Sequence, residues 1–340
     1  MTSPTPQPEM IRWLANAPYL TFAMIAGMQL ELFTPLGAGP MHAEQLAEAL
    51  GVSAAKLTPL LYVLVAAGLL TLDEGRFANT PEADTFLVRG KPTYLGDLHV
   101  NYTTLYQAAL QTAASIRTGR PQAKLDFAAM ASDALETYLR GLYPATVASG
   151  RMLVNRYDFT AHRHLLDVGG GSGGLACTIA AACPHLRATV IDLPSVTPVT
   201  RRFLAQEGMT ERVAVVTGDV VRGPLSGTYD VAVLRALIQV LSPEEAQRVL
   251  HNLIQVLEPG SPIYILGNVL DDTHLSPPET VALSLVFLNT YDEGHAYTEH
   301  EYRTWLTAAG FPGIERIPLT GGSSLITARK PLAVELSGKV

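Results

Sequence analysis

Cysteine is almost absent from the chain: among 340 residues there are two, Cys177 and Cys183. Two thiols exclude a disulfide framework, and a separation of six within one expected helix matches no metal-ligand spacing, so both are assigned to core packing. Charge is sparse as well. Asp, Glu, Lys and Arg make up 16% of the residues against 48% apolar ones, a balance that excludes a disordered chain and points to large buried surfaces, some of them between subunits. Basic residues are outnumbered 24 to 31, for a net charge of −7. Phosphate-backbone binding therefore has no electrostatic support, and no nucleic-acid partner is expected. The longest apolar run, Leu60–Leu70, falls short of the roughly 20 residues that cross a bilayer, so no membrane helix is expected. Met1–Met10 holds three prolines and Glu9 and no basic cluster ahead of an apolar stretch; it does not read as a signal peptide, and a reducing, cytoplasmic location is expected. The histidines are scattered. The one close pair, His162 and His164, has no carboxylate or cysteine ligand beside it, so no structural metal is expected.

What is present falls into two parts, as expected for this length. Residues 1–100 are mostly helical. Ala43–Leu50, a turn at Gly51-Val52-Ser53, a helix from Ala54 to Ala67 and a short hairpin around Asp73-Glu74-Gly75 spell helix–turn–helix plus wing. The second helix carries only Lys56 as a basic residue, so dimerisation, not DNA reading, is its expected role. Residues 101–156 read as a helical connector broken at Arg117-Thr118-Gly119-Arg120-Pro121. With Tyr94 just before it, Tyr102, Tyr106, Tyr138 and Tyr143 make this region rich in tyrosine, suited to a helix interface or a pocket wall; Tyr106 is taken as a candidate catalytic residue.

From residue 157 to 332 short apolar strands alternate with amphipathic helices, the pattern of an α/β doubly wound parallel sheet. The expected strands are His164–Val168, Ala188–Leu193, Val213–Thr217, Tyr229–Leu234, Ile263–Val269, Ile314–Leu319 and Leu325–Ala328, the last two as a hairpin, with a helix over Pro243–Leu257. Residues 333–340 are left as a tail. The first strand runs into Gly169-Gly170-Gly171-Ser172-Gly173-Gly174, in which Gly169, Gly171 and Gly174 satisfy G-x-G-x-x-G and let backbone approach a nucleotide-like ligand at the carboxyl edge of the sheet. Asp192, at the end of the next strand, can accept both hydrogen bonds of a ribose diol. Asp167 beside the turn repels a pyrophosphate and suits the ammonium and sulfonium of S-adenosylmethionine (SAM), which favours SAM over a dinucleotide. Asp219, after the third strand, is placed to reach adenine.

With those residues in view, the chain resembles the SAM-dependent O-methyltransferases of plant phenolic, hydroxyindole and bacterial polyketide metabolism. The stretches that carry the resemblance are LLDVGGGSGG from Leu165, VIDLPSV from Val190, TGDV from Thr217, DVAVLRALIQVLSPEEA from Asp230 and YTEHEYRTWLTAAGF from Tyr297. The resemblance implies a class I Rossmann-like methyltransferase domain behind a winged-helix dimerisation domain and a homodimer. It implies SAM as cofactor, S-adenosylhomocysteine (SAH) as product and a small-molecule acceptor. It also implies that Asp192 with Leu193, Asp219 with Val220, and Arg235 lie against the cofactor, along with the glycine turn and Asp167.

One position departs from the family. Where the family reads approximately L-R-x-x-L-H-x-W-x-D-E, with the histidine taking the acceptor's proton, this chain has Gln239. Glutamine is no base near neutral pH, and a lost general base costs about 10²–10⁴-fold in rate. Methyl transfer can still proceed by proximity and exclusion of water if the nucleophile has no proton to lose. A sulfur or carbon acceptor is therefore expected, with tyrosines such as Tyr291 and Tyr297 near the pocket. The alternatives are an O-methyltransferase using another base, His295 or His99, or a SAM-binding relative that does not methylate. A metal held by His99, Asp292 and His295 has no spacing to support it. Arg117, Arg140, Arg151 and Arg235 are candidate clamps for an acceptor carboxylate.

Overall fold

The computed structural model describes residues 6–332; the tail expected at 333–340 and the first five residues of Met1–Met10 lie outside them. The chain divides into two compact units between Thr103 and Thr104. The first contains α1 (Glu9–Asn16), α2 (Pro18–Gln29), α3 (Phe33–Leu36), β1 (Met41–His42), α4 (Ala43–Leu50), α5 (Ala54–Ala66), β2 (Leu70–Asp73), β3 (Arg76–Asn79) and α6 (Pro81–Leu87), and α7 (His99–Ala109) crosses the boundary. An antiparallel sheet of order β1-β3-β2 forms the wing. The helix–turn–helix closes because Gly51 takes the left-handed conformation at φ 66°, which ends α4 and redirects the chain into α5. Leu32, Phe33, Leu46, Leu61, Leu64 and Phe77 form the core of this unit. By contrast, α1 buries nothing, and Met10, Ile11, Trp13, Leu14, Tyr19, Leu20 and Phe22 stand exposed on α1 and α2.

The second unit holds α8 (Thr112–Thr118), α9 (Ser132–Arg156), β4 (His164–Val168), α10 (Gly174–Ala182), β5 (Arg187–Asp192), α11 (Thr197–Gln206), β6 (Val213–Thr217), β7 (Val231–Arg235), α12 (Pro243–Val256), β8 (Pro262–Leu270), α13 (Pro278–Thr290), β9 (Tyr297–Thr298), α14 (Glu299–Ala309), β10 (Glu315–Pro318) and β11 (Ser323–Arg329). The sheet order is β10-β11-β8-β7-β4-β5-β6, with β9 alongside β8. Strands β4 to β9 pair in parallel and the β10–β11 hairpin is antiparallel. Strand order reverses at β4, whose neighbours β5 and β7 lead away on opposite sides, so a crevice opens at the carboxyl ends of these strands. The strands are apolar because both faces are covered: Val231, Ala232, Val233 and Leu234 of β7 are fully buried.

All seven expected strands are present with ends shifted by at most two residues. The eighth, β9, has two residues, too few for any periodic signal. Cys183 lies just past the end of α10 instead of inside it. Both thiols are buried and free, and burial pushes the Cys177 thiol up to about 12. Helix α9 packs closely on α10 because Gly150 has no side chain; a Cβ there would fall 2.7 Å from Thr178 Cβ.

Candidate functional site

The carboxyl ends of β4, β5 and β7 gather the charged groups of the second unit. Asp167, on β4, is 1% exposed, and its Oδ2 has no hydrogen-bond partner. Burial, with the Asp192 carboxylate adding to it, pushes the Asp167 carboxyl up to about 7; the Ala176 N–H and Arg235 pull it partly back. A buried acceptor left unpaired in this way fits a cation from a ligand. Asp192 ends β5 and accepts the backbone N–H groups of Gly171 at 2.8 Å and Leu193 at 2.7 Å. Burial raises it to about 6.

The glycine turn between β4 and α10 depends on backbone conformations other residues avoid: Gly169, Gly171 and Gly173 have φ of 66°, 57° and 75°. Gly174 serves differently. It opens α10, and a Cβ there would overlap Thr146 Oγ1 at 2.3 Å, so the third glycine of the motif secures close packing against α9. Gly170 and Gly173 were not singled out by the motif, yet a Cβ on Gly170 would meet the Asp167 carboxyl at 2.7 Å. Thr200, on α11, donates its hydroxyl to the Gly171 carbonyl at 2.6 Å and pins the turn from the far side. Asp219 has a local duty: Oδ1 caps the N–H groups of Val221 and Arg222, and Oδ2 pairs with Arg222 at 3.3 Å. Val220 is buried, with its carbonyl taking the Asn252 amide at 3.0 Å.

Arg235 ends β7. Its Nε donates to Ser149 Oγ of α9 at 2.9 Å; burial lowers its pKa, while Asp167 and Tyr138 act to hold it charged. Ala236 follows with φ 55°, a conformation costly for a residue with a Cβ, and so turns the chain sharply into Gln239. Gln239 is 7% exposed, and its Oε1 accepts the Asn268 backbone N–H from β8 at 2.9 Å. A backbone N–H can only donate, so the oxygen faces β8 and Gln239 presents its Nε2–H groups elsewhere. From the sequence Gln239 is expected to be a missing base that either hydrogen-bonds the substrate or only packs. Nothing in one sequence shows that Asn268 orients it.

Two tyrosines, Tyr138 on α9 and Tyr291 just past α13, are linked to this end electrostatically. Burial raises the pKa of Tyr138 while Arg235 draws it down, and burial raises Tyr291 further, with Tyr138 contributing. The loop after α13 lies against the Gln239 turn, where a Cβ on Gly294 would fall 2.8 Å from the Gln239 carbonyl oxygen. His295 follows. It is exposed, its ring centroid is 4.0 Å from that of Tyr297, and its Nδ1 is 3.0 Å from the Glu293 carbonyl. Because a carbonyl only accepts, Nδ1 is the donor in this contact, and in the neutral ring Nε2 is then the acceptor. Beside this loop lies a groove of about 570 Å³ lined by Lys124, Val240, Glu244, Arg248 and Tyr291 among others.

Other candidates are placed less tellingly. Tyr106, on α7, is 38% exposed. His99, in the first unit, is half-buried with no hydrogen-bond partner at Nδ1. Arg140 is committed to Glu136 at 2.9 Å and to the Phe203 ring, so it is no carboxylate clamp. Arg117 is exposed in the last turn of α8. Among the described residues no three His, Cys, Asp or Glu side chains converge as metal ligands.

Comparison with known proteins gives the site its context. The family described as the O-methyltransferase domain matches residues 112–312, and the O-methyltransferase dimerisation domain matches 13–89. The chain is 30% identical over 324 residues to the tetracenomycin polyketide synthesis 8-O-methyl transferase TcmO of Streptomyces glaucescens, covering 94% of this chain and 95% of the relative. It is 29% identical over 310 residues to 3-hydroxy-5-methyl-1-naphthoate 3-O-methyltransferase of Streptomyces sahachiroi, covering 89% of each. Human N-acetylserotonin methyltransferase, solved with SAM, has the same fold at TM-score 0.82 and 23% identity over 97% of this chain and 100% of that one. Neither Streptomyces relative is named for a sulfur or carbon acceptor, so that expectation gains no support and its oxygen alternative does. The chain is an enzyme that uses SAM, and it belongs to the O-methyltransferase family, with that family's dimerisation domain at its N-terminus.

Proposed function

We propose that this enzyme transfers the methyl group of SAM to a hydroxyl oxygen of a small aromatic or enolic acceptor, acting as a cytoplasmic homodimer. The carrying observation is the near full-length likeness to two enzymes named for O-methylation of polyketide and naphthoate acceptors. When bound, SAM supplies a methyl group on a sulfonium, open to in-line attack. Asp167, with its unpaired Oδ2, holds the cationic end; the turn from Gly169 to Gly174 lets the backbone come close; Asp192 and Leu193 take the ribose, and Asp219 and Val220 the adenine side. Arg235, which Asp167 helps to hold charged, would border the cofactor. Proximity and the exclusion of water by Tyr138 and Tyr291 do most of the work. For an acceptor that arrives protonated, His295 Nε2 is the base, in place of the family's histidine. The exposed apolar side chains of α1 and α2 support the dimer, because they fall in the segment matched by the dimerisation domain or just before it. With Lys56 as its one basic residue, α5 belongs to that dimer-forming region and not to a DNA surface.

A second reading, a sulfur or carbon acceptor, rests on Gln239 alone, which serves a nucleophile with no proton to lose. Methyl-labelled SAM offered with phenols, enols, thioethers, thiols and ring carbons tests both. Label on oxygen is the expected result; label only on sulfur or carbon transfers the assignment to the second reading.

A further inference from the structure

We propose that the acceptor carries an anionic oxygen, and that the Nε2–H of Gln239, oriented by Asn268, together with the Arg235 guanidinium, holds that oxygen at the end of β7. This deepens the methyltransferase reading above and rests on it.

The carboxylates Asp167 and Asp192 fill the cofactor side of this end of the sheet, while Gln239 and Arg235 bring donors to the segment that follows β7. Gln239 has its only acceptor atom occupied by the Asn268 backbone N–H at 2.9 Å and side-chain Nδ2 at 3.4 Å, so the amide offers hydrogens and nothing else. Gly267 makes the arrangement tight, since a Cβ there would stand 3.0 Å from Gln239 Oε1. Arg235 donates Nε to Ser149, and Asp167 and Tyr138 act to hold the guanidinium charged. Burial raises the pKa of both Tyr138 and Tyr291 and so disfavours their charged forms. A histidine base would remove a proton and carry it as charge; an amide donor and a guanidinium instead stabilise negative charge already on the ligand. A hydrogen bond to a charged group gives about a tenfold or larger preference for an anion over its neutral analogue.

Two sources share this chemistry. The anionic oxygen is either the nucleophile itself, an acidic phenol or enol ionised in solvent, or a carboxylate beside the reacting atom. In the first case the oxygen's lone pair forms the new O–C bond as the S–C bond of the sulfonium breaks and its pair stays on sulfur, the proton having already left to water; cation and anion give two neutral products.

The test uses the full-length protein saturated with SAH and measures dissociation constants for matched pairs: a hydroxynaphthoquinone, ionised at neutral pH, against naphthol, and methylthiobutanoate against its methyl ester. The expected result is binding of at least one anion about tenfold or more tighter than its neutral partner. Gln239→Leu should lose about tenfold for that anion and leave naphthol, the ester and SAH unchanged, with Arg235→Lys as a second variant that keeps the charge and loses the fork. Equal affinity within both pairs, absence of binding included, overturns the proposal, as does a Gln239→Leu loss that falls equally on anion and neutral. Product analysis with labelled SAM then separates the sources. An O-methyl enol identifies the nucleophile as the anion. S-methylation of the thioether acid leaves the anion site standing and refutes the oxygen reading instead.

Discussion

Replacing Asp167 by Asn should stabilise the ligand-free enzyme while abolishing tight SAM binding, two effects of opposite sign from one carboxyl. In the unfolded chain this group ionises at its ordinary value of 3.8, and in the folded one at about 7. A raised carboxyl pKa means that the unfolded state gives up its proton first, so folding stability falls as pH rises between these values and stays low above them. About three pKa units at 1.36 kcal/mol each make this close to 4 kcal/mol. Asparagine removes that penalty but brings its own buried amide, costing about 1–3 kcal/mol if unpaired. The net gain near pH 8 is about 2 kcal/mol, an upward Tm shift of about 5 °C for a unit of this size. Below about pH 4 the gain disappears and only the amide's cost remains. In the wild type the SAM dissociation constant should rise about tenfold per pH unit as pH falls below about 7, because binding the cation must first expel the proton. Scanning calorimetry and SAM titration across pH check both. A SAM affinity that is flat from about pH 5 to 8, together with an Asp167→Asn enzyme less stable than wild type at the upper end, would refute the assignment of this carboxyl.

Three further outcomes follow from other parts of the molecule. Gly174→Ala places a methyl 2.3 Å from Thr146 Oγ1 and should cost about 1–3 kcal/mol in urea unfolding and weaken SAM binding with it. His295→Asn should slow transfer to a weakly acidic phenol by about 10²–10⁴-fold in a labelled-methyl assay and leave transfer to a pre-ionised enol near wild type; equal loss on both would remove His295 as base. Trp13→Asp combined with Leu14→Asp should shift the sedimenting species toward the monomer, since both side chains are more than half exposed on a helix that buries nothing within its own chain.

The glycine turn and the strands around it were legible in the sequence because their determinants are local. A glycine turn is written in consecutive residues that alone tolerate positive φ, and Gly169 and Gly171 sit where G-x-G-x-x-G put them. Strands buried on both faces appear as short apolar runs, and α12 announces itself through the Ser242 and Glu245 capping box. The α/β class, the strand sequence and the winged-helix pattern needed no more than this. What the folded chain decided is everything that depends on residues distant in sequence meeting at a distance of a few ångströms. Asp167 became an orphaned buried acceptor only when β5 and β7 closed over it. Gln239 was a missing base until Asn268, 29 residues later on the neighbouring strand, took its oxygen and left it a donor. Arg140, a candidate clamp by its charge alone, is held by Glu136 and the Phe203 ring. Local conformational preference fixes turns and periods residue by residue, whereas the hydrogen-bond role and proton affinity of a side chain are set by what is packed around it, and packing exists only in three dimensions.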